Sequence, residues 1–223
     1  TYAGSASGTL VISKANQSSV SVTSNATVVY GSTLALTASG GSSSASGYTF
    51  TKVSGPCTIS GTTLTTTAAG DCVYNAYKAG DANYNVSAIS ANFTTTITPK
   101  PLTLAVTVSP TSRPYNTSTV VGLAATSASN LTGIINNDVV GTDDTKLSAS
   151  ITTADVATNK AVTVIVASGY LTGTHAGNYL LPTVTGSPVL TVTQTSQVGL
   201  SWTSVLSTVF GQNITLSATG GSG

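Results

Sequence analysis

The chain of 223 residues has no methionine and no glutamate, one histidine, one tryptophan and two cysteines. Only 6% of its residues are charged, against roughly 25% in ordinary globular proteins. Seven basic residues against six acidic ones exclude the clustered Lys and Arg on which nucleic-acid binding rests. No run of about 18 apolar residues is present, so no membrane-inserted helix is expected. No signal peptide is visible. The first residues read as part of a β-like segment, so the true N-terminus is expected elsewhere. Strong helix formers are scarce, and no long segment repeats its apolar residues every 3.6 positions, which argues against a helical core. Scarce charge does not imply disorder. Disordered chains pair low hydrophobicity with high net charge, whereas here 40% of residues are hydrophobic and the formal net charge is +1.

What is abundant is Thr, Val, Ser, Gly and Asn. β-Branched side chains are stiff and suit a pleated surface. Short alternating segments recur between turn residues. In residues 34–39, Leu34, Leu36 and Ala38 share a face. Residues 47–54, a hairpin about Gly61-Thr62, residues 72–79 and residues 87–98 follow. Beyond them, residues 102–109, 160–171 and 189–193 are the clearest strands. Residues 127–144 read as irregular, and residues 151–159 as a short helix or a loop. Crossover helices are missing, which leaves an all-β fold. Cys57 and Cys72 both lie in strand-like segments, without the spacing of a redox or zinc motif. They are expected to form a disulfide closing about 15 residues in an oxidising compartment. The alternative is two buried thiols.

The chain also repeats itself. At an ungapped offset of 180 residues, which sets Gln197 on Gln17, 11 of 26 positions are identical. Tyr30 falls on Phe210, Gly31 on Gly211 and Leu36 on Leu216. Extended backwards, Leu10 falls on Leu190. Pro99-Lys100-Pro101 divides the unit, since proline stiffens a junction and cannot donate to a sheet ladder. The expected organisation is therefore the end of a preceding module at 1–15, a module at 16–99, a second at 100–196, and the start of the next at 197–223. Each full module has the usual size of a β-sandwich domain. The fold class expected is a linear array of immunoglobulin-like β-sandwiches.

Residues 31–98, with GSTLALTASGG, SGPCTISGTTLTTTAAGDC and KAGDANYN, resemble a bacterial Ig-like repeat module. Residues 100–193, with KPLTL, RPYNTST, NNDVV, ATNKAVTV and YLTGTHAGNYLL, resemble the YDG and MBG repeat modules. Both resemblances imply β-sandwich stalk modules of giant bacterial surface adhesins, without catalysis. The Tyr-Asp-Gly of the family stands here as Tyr115-Asn116-Thr117.

Few side chains offer chemistry. His175 is the lone histidine, and a Ser-His-Asp triad would have to use it; a turn role is simpler. Asn83-Tyr84 and Asn178-Tyr179 occur at matching places after Gly-containing turns. They read as structural turns, with an aromatic platform as the alternative. Asp138, Asp143 and Asp144, beside Asn136 and Asn137, supply the hard oxygen ligands that Ca²⁺ prefers, though Asp and Asn are also ordinary turn residues. No other cofactor is expected. A Lys–Asn isopeptide would draw on Lys52 or Lys78 with Asp71, or on Lys160 with Asp155. Sequons at Asn16, Asn25, Asn85, Asn92, Asn116, Asn130 and Asn213 read as background in so Ser/Thr-rich a chain. Trp202 falls on Val22, a core strand position, which weakens a glycan-binding reading.

The expected function is structural: a stalk or spacer of an adhesin at the bacterial cell surface, with neighbouring modules of the same chain as partners. A self-assembling extracellular filament or sheath is the alternative, in which other copies of the chain are partners, because few charges mean little repulsion between them. A glycan-binding module is the third reading.

Overall fold

The computed structural model describes residues 3–135, 137–203, 207 and 209–221. Its regular structure is almost entirely strand. The helical residues described are three single 3-10 turns, at Ala128–Asn130, Asp144–Lys146 and Ala176–Asn178. Two compact units form. One comprises Thr1–Leu104, Thr126–Lys146 and Val166–Thr183; the other comprises Ala105–Ala125, Leu147–Ile165 and Val184–Gly223.

In the first unit, a four-stranded sheet runs in the order Thr27–Val29, Phe93–Thr98, Gly70–Tyr77, Thr49–Ser54. Successive strand side chains point to opposite faces, and Gly70–Tyr77 obeys this closely. Cys72, Tyr74 and Ala76 are all fully buried, and the residues between them are not. Phe50 and Phe93 meet the Tyr74 ring from the two neighbouring strands. The Tyr74 hydroxyl bonds Thr95 Oγ1 at 3.0 Å, so its one polar atom is satisfied inside the core. Thr27, Val28 and Val29 pair in parallel with Thr96, Ile97 and Thr98.

A three-stranded sheet runs Thr33–Ala35, Thr63–Thr66, Cys57–Ser60. Its hairpin turns at Gly61, whose φ of +59° is the left-handed conformation that glycine adopts at little cost. Leu34 and Leu64 pair across it, both buried. The disulfide Cys57–Cys72 ties this sheet to the four-stranded one, with the two Cα atoms 5.9 Å apart. The expected disulfide is thus present. Val20–Val22 pairs with Ala38–Gly40 beside them.

In the second unit, Val189–Thr193 lies between Ser112–Pro114, to which it is parallel, and Ala157–Ala161, to which it is antiparallel. Its alternate residues Leu190 and Val192 are buried with Val108, Val121, Ala149, Ile151 and Val162. Residues 151–159 form no helix. They run as loop into the strand Ala157–Ala161, which is bulged between Ala157 and Lys160. Asn159 sits in the bulge at φ +52°, a conformation that Asn tolerates better than most residues.

Candidate functional site: two backbone clamps and a tyrosine–carboxylate junction

Two chain segments are held by the same backbone device. Ala15 N–H donates to the Asn83 carbonyl at 2.8 Å, and Asn85 N–H donates back to the Ala15 carbonyl at 2.8 Å. Lys100 N–H donates to the Asn178 carbonyl, and Leu180 N–H to the Lys100 carbonyl, both at 2.9 Å. Each makes one parallel bridge, Ala15 with Tyr84 and Lys100 with Tyr179. The two Asn-Tyr pairs thus each grip a single residue far away in the chain.

Around Ala15 the grip is reinforced by one amide that composition did not single out. Gln17 Nε2 donates to the carbonyls of Asn85, Ala79 and Lys78, and its Oε1 accepts from Ser42 and Ser43 N–H. The signal was present in the repeat, which begins on Gln17 and Gln197. Asp81 shapes the same loop. Its Oδ1 accepts from Asn83 and Tyr84 N–H, and its Oδ2 from the backbone and hydroxyl of Ser44. The Ser44 backbone N–H, then the other donors, hold its pKa down at about 2. A carboxylate depressed on folding stabilises the fold above its unfolded pKa of about 4 and loses that effect as pH falls towards the folded value. The melting temperature of the native chain is therefore expected to drop between about pH 4 and pH 2. In Asp81→Asn it starts lower at neutral pH and falls less steeply in acid. Equal slopes in thermal melts across this window would refute that role.

Around Lys100 the grip leads into a buried junction within the first unit. Tyr30 and Tyr179 are each 6% exposed. Their rings meet edge to face, with centroids 5.7 Å apart and an interplanar angle of 86°. Both hydroxyls donate to Asp138: Tyr30 at 3.0 Å to Oδ2, and Tyr179 to the same oxygen. Ile135 N–H donates to the Tyr179 hydroxyl at 2.9 Å. Burial first, and then the hydrogen bond to Asp138, push the Tyr179 phenol up to about 12 and raise Tyr30 as well. Asn178 is buried, and its Oδ1 accepts Ala69 N–H at 2.9 Å. Gly31 takes a backbone conformation that other residues rarely adopt. Its φ is +83°, and a Cβ there would lie 2.2 Å from Ile135 Cδ1.

The acidic loop is not one ligand set. Asp138 serves the tyrosines, Asp143 accepts from Thr145, and Asp144 accepts from Thr126. Asn136 lies outside the described residues. No group of three or more His, Cys, Asp or Glu that could hold a metal ion forms among the described residues. Asp138, Asp144 and Oδ1 of Asp143 accept hydroxyl or backbone donors. His175 Nδ1 accepts Val139 N–H at 2.9 Å, a turn contact. Lys160 Nζ meets Thr153 Oγ1 and the backbone carbonyl of Asp155. Lys78 lies over the Tyr48 ring, and Asp71 accepts from Thr96. Trp202 is exposed, in the short strand Ser201–Trp202 that pairs with Ala218–Thr219.

In the second unit, Tyr115-Asn116-Thr117 forms a tight turn. Thr117 stands at φ +62°, and Asn116 Oδ1 accepts Ser118 N–H at 3.2 Å. Asn116 thus acts as an Asp would, and Thr117 occupies a glycine conformation. Arg113 closes the turn by donating to the Ser118 and Val120 carbonyls. Residues 98–186 match the YDG domain family. Among curated proteins, none matches the chain. The YDG domain therefore contains both Asp138 and the Asn178-Tyr179 grip. Thr117 holds a left-handed backbone that glycine adopts at little cost, which predicts a stabilising substitution. A β-branched residue held left-handed costs about 1–2 kcal/mol, offset in part by glycine's greater unfolded-state entropy of about 0.5–1 kcal/mol. Thr117→Gly should raise the melting temperature by a few degrees; a lowered one would show that the turn is unstrained.

Proposed function

We propose that this chain is a structural spacer: β-modules joined in series in a bacterial cell-surface protein, acting as the stalk of an adhesin and performing no catalysis. The observation that carries the reading is the shared clamp on Ala15 and Lys100. A device used twice to fix the entry of a module suits an array whose job is to keep its direction. Repeated modules that fold locally give reach without a large cooperative core. The use of polar side chains supports the same reading. Asp81, Asp138 and Asp144 spend their oxygens on internal donors. The Cys57–Cys72 disulfide favours an oxidising, extracellular setting.

An immunoglobulin-like sandwich is the architecture we infer for residues 16–99. It is supported by the four- and three-stranded sheets bridged by one disulfide and by the second strand, Thr27–Val29, running parallel to the last, Phe93–Thr98. Small-angle scattering of polypeptides carrying one, two and three 180-residue units tests the spacer. The maximum dimension should grow linearly with the number of units, whereas growth as roughly the 0.38 power of length would mark a compact protein. A second reading, lateral association into a fibre or sheath, is favoured by the 6% charged fraction. It predicts mass that rises with concentration in the same measurement.

A further inference from the structure

Leu10, Val11 and Ile12 are among the most exposed large apolar residues of the chain, at 84%, 79% and 85%. Two independent observations say what belongs on them. The first is the repeat. The ungapped offset of 180 residues sets Leu10 on Leu190 and Ile12 on Val192. Those two partners are 1% and 2% exposed, on a strand bonded along both edges. The second is the clamp. The strand Phe93–Thr98 ends just before Lys100, and Thr95 and Ile97, five and three residues ahead of the clamped position, are buried. Leu10 and Ile12 stand five and three residues ahead of Ala15, which carries the same clamp. Strand parity is strict, since a one-residue slip turns every side chain to the other face. Both comparisons turn the same two residues inward.

We propose that residues 9–14 are the closing strand of a YDG-type sheet in the module preceding them in the same polypeptide, filling there the place that Val189–Thr193 fills here. The strand enters between a parallel neighbour equivalent to Ser112–Pro114 and an antiparallel one equivalent to Ala157–Ala161. Leu10 and Ile12 face that module's core, and Ala15 passes directly into the clamp of the next. Each module thus contributes its last strand up to the threshold of its successor. This inference rests on the repeat and the clamp, and it stands whether or not the array is a stalk.

The test begins with the intact chain. Val189→Thr, Thr191→Val, Val192→Ile, Thr193→Ser and Gln194→Lys together write residues 9–14 into the resident slot, where Leu190 already matches. Amide exchange at positions 190 and 192 should stay within about tenfold of the native chain. A companion variant that adds Leu190→Asp and carries Val192→Asp instead of Val192→Ile should lose protection by more than about 100-fold there, while Gly70–Tyr77 keeps its own. Equal loss in both variants, or equal retention, overturns the proposal. A second arm joins residues 98–188 ahead of Thr9 of the whole chain, so that only residues 9–14 can close the added sheet. Protection appearing at Leu10 and Ile12 supports closure by the following segment. Continued free exchange there, with the five-residue graft tolerated, overturns the assignment to the preceding module. Neither readout depends on extension, so failure here is distinct from failure of the spacer reading.

Discussion

Replacing both cysteines by alanine is expected to cost the first unit about 3 kcal/mol, the loop-closure value for a bridge spanning some 15 residues. The effect should not fall below this, because the bond does more than shorten the unfolded chain. Cys57 and Cys72 are 1% and 0% exposed, and they join two sheets that no hydrogen-bonded ladder connects. Truncation also leaves small voids between Cys57 and Cys72 that the sheets can fill only by moving together. In urea titration followed by tyrosine fluorescence, reductant should lower the midpoint of the native chain and leave that of Cys57→Ala/Cys72→Ala unchanged. Coincident midpoints for oxidised and reduced native chain would sink the argument.

The second large effect is expected at Asp138. Asp138→Ala removes the shared acceptor of two tyrosine hydroxyls that water barely reaches. A buried polar group left without its partner costs about 1–3 kcal/mol, and here there are two. Tyr179→Phe leaves the carboxylate served by Tyr30 but also removes the acceptor of Ile135 N–H, so it should cost about 1–3 kcal/mol. The double variant should cost less than the sum of the two, because after Asp138→Ala the Tyr179 hydroxyl is a liability. Strict additivity in thermal melts would show that the junction is not coupled. The alkaline limb gives an independent reading. A phenol raised on folding stabilises the fold below its unfolded pKa of about 10, and that contribution is lost as pH rises towards the folded value, about 12 for Tyr179. Stability of the native chain should therefore fall between about pH 10 and pH 12. In Tyr179→Phe this fall should be shallower.

The strands were legible because the chemistry that makes them is local. Alternation in residues 72–77 needs only the pleat, and glycine at the Gly61 turn needs only its own backbone freedom. The equivalence of Asn83-Tyr84 and Asn178-Tyr179 was legible because each follows a turn of similar composition. What each pair grips was not, since Ala15 and Lys100 have no side-chain feature in common. The purpose of Asp138 was hidden for a different reason. Tyr30 lies 108 residues away in the chain, and a carboxylate among amides in an irregular loop looks the same whether it binds a cation or a phenol. The grouping of residues 126–146 and 166–183 with 1–104 was equally out of reach, because it follows from packing and leaves no period in the sequence. Thr117 was half legible. The motif marked the missing glycine, and the structure supplied the left-handed backbone that makes its absence matter.

The parallel pairing of Thr27–Val29 with Phe93–Thr98 has a directional consequence, and Ser112–Pro114 with Val189–Thr193 repeats it. In a parallel pair, the chain enters at one pole and leaves at the other. Tension applied through the backbone then pulls the two strands lengthwise past each other. The hydrogen bonds between them are loaded together in shear, instead of opening one at a time as a hairpin unzips. On the spacer reading proposed above, these two ladders would carry such tension in shear.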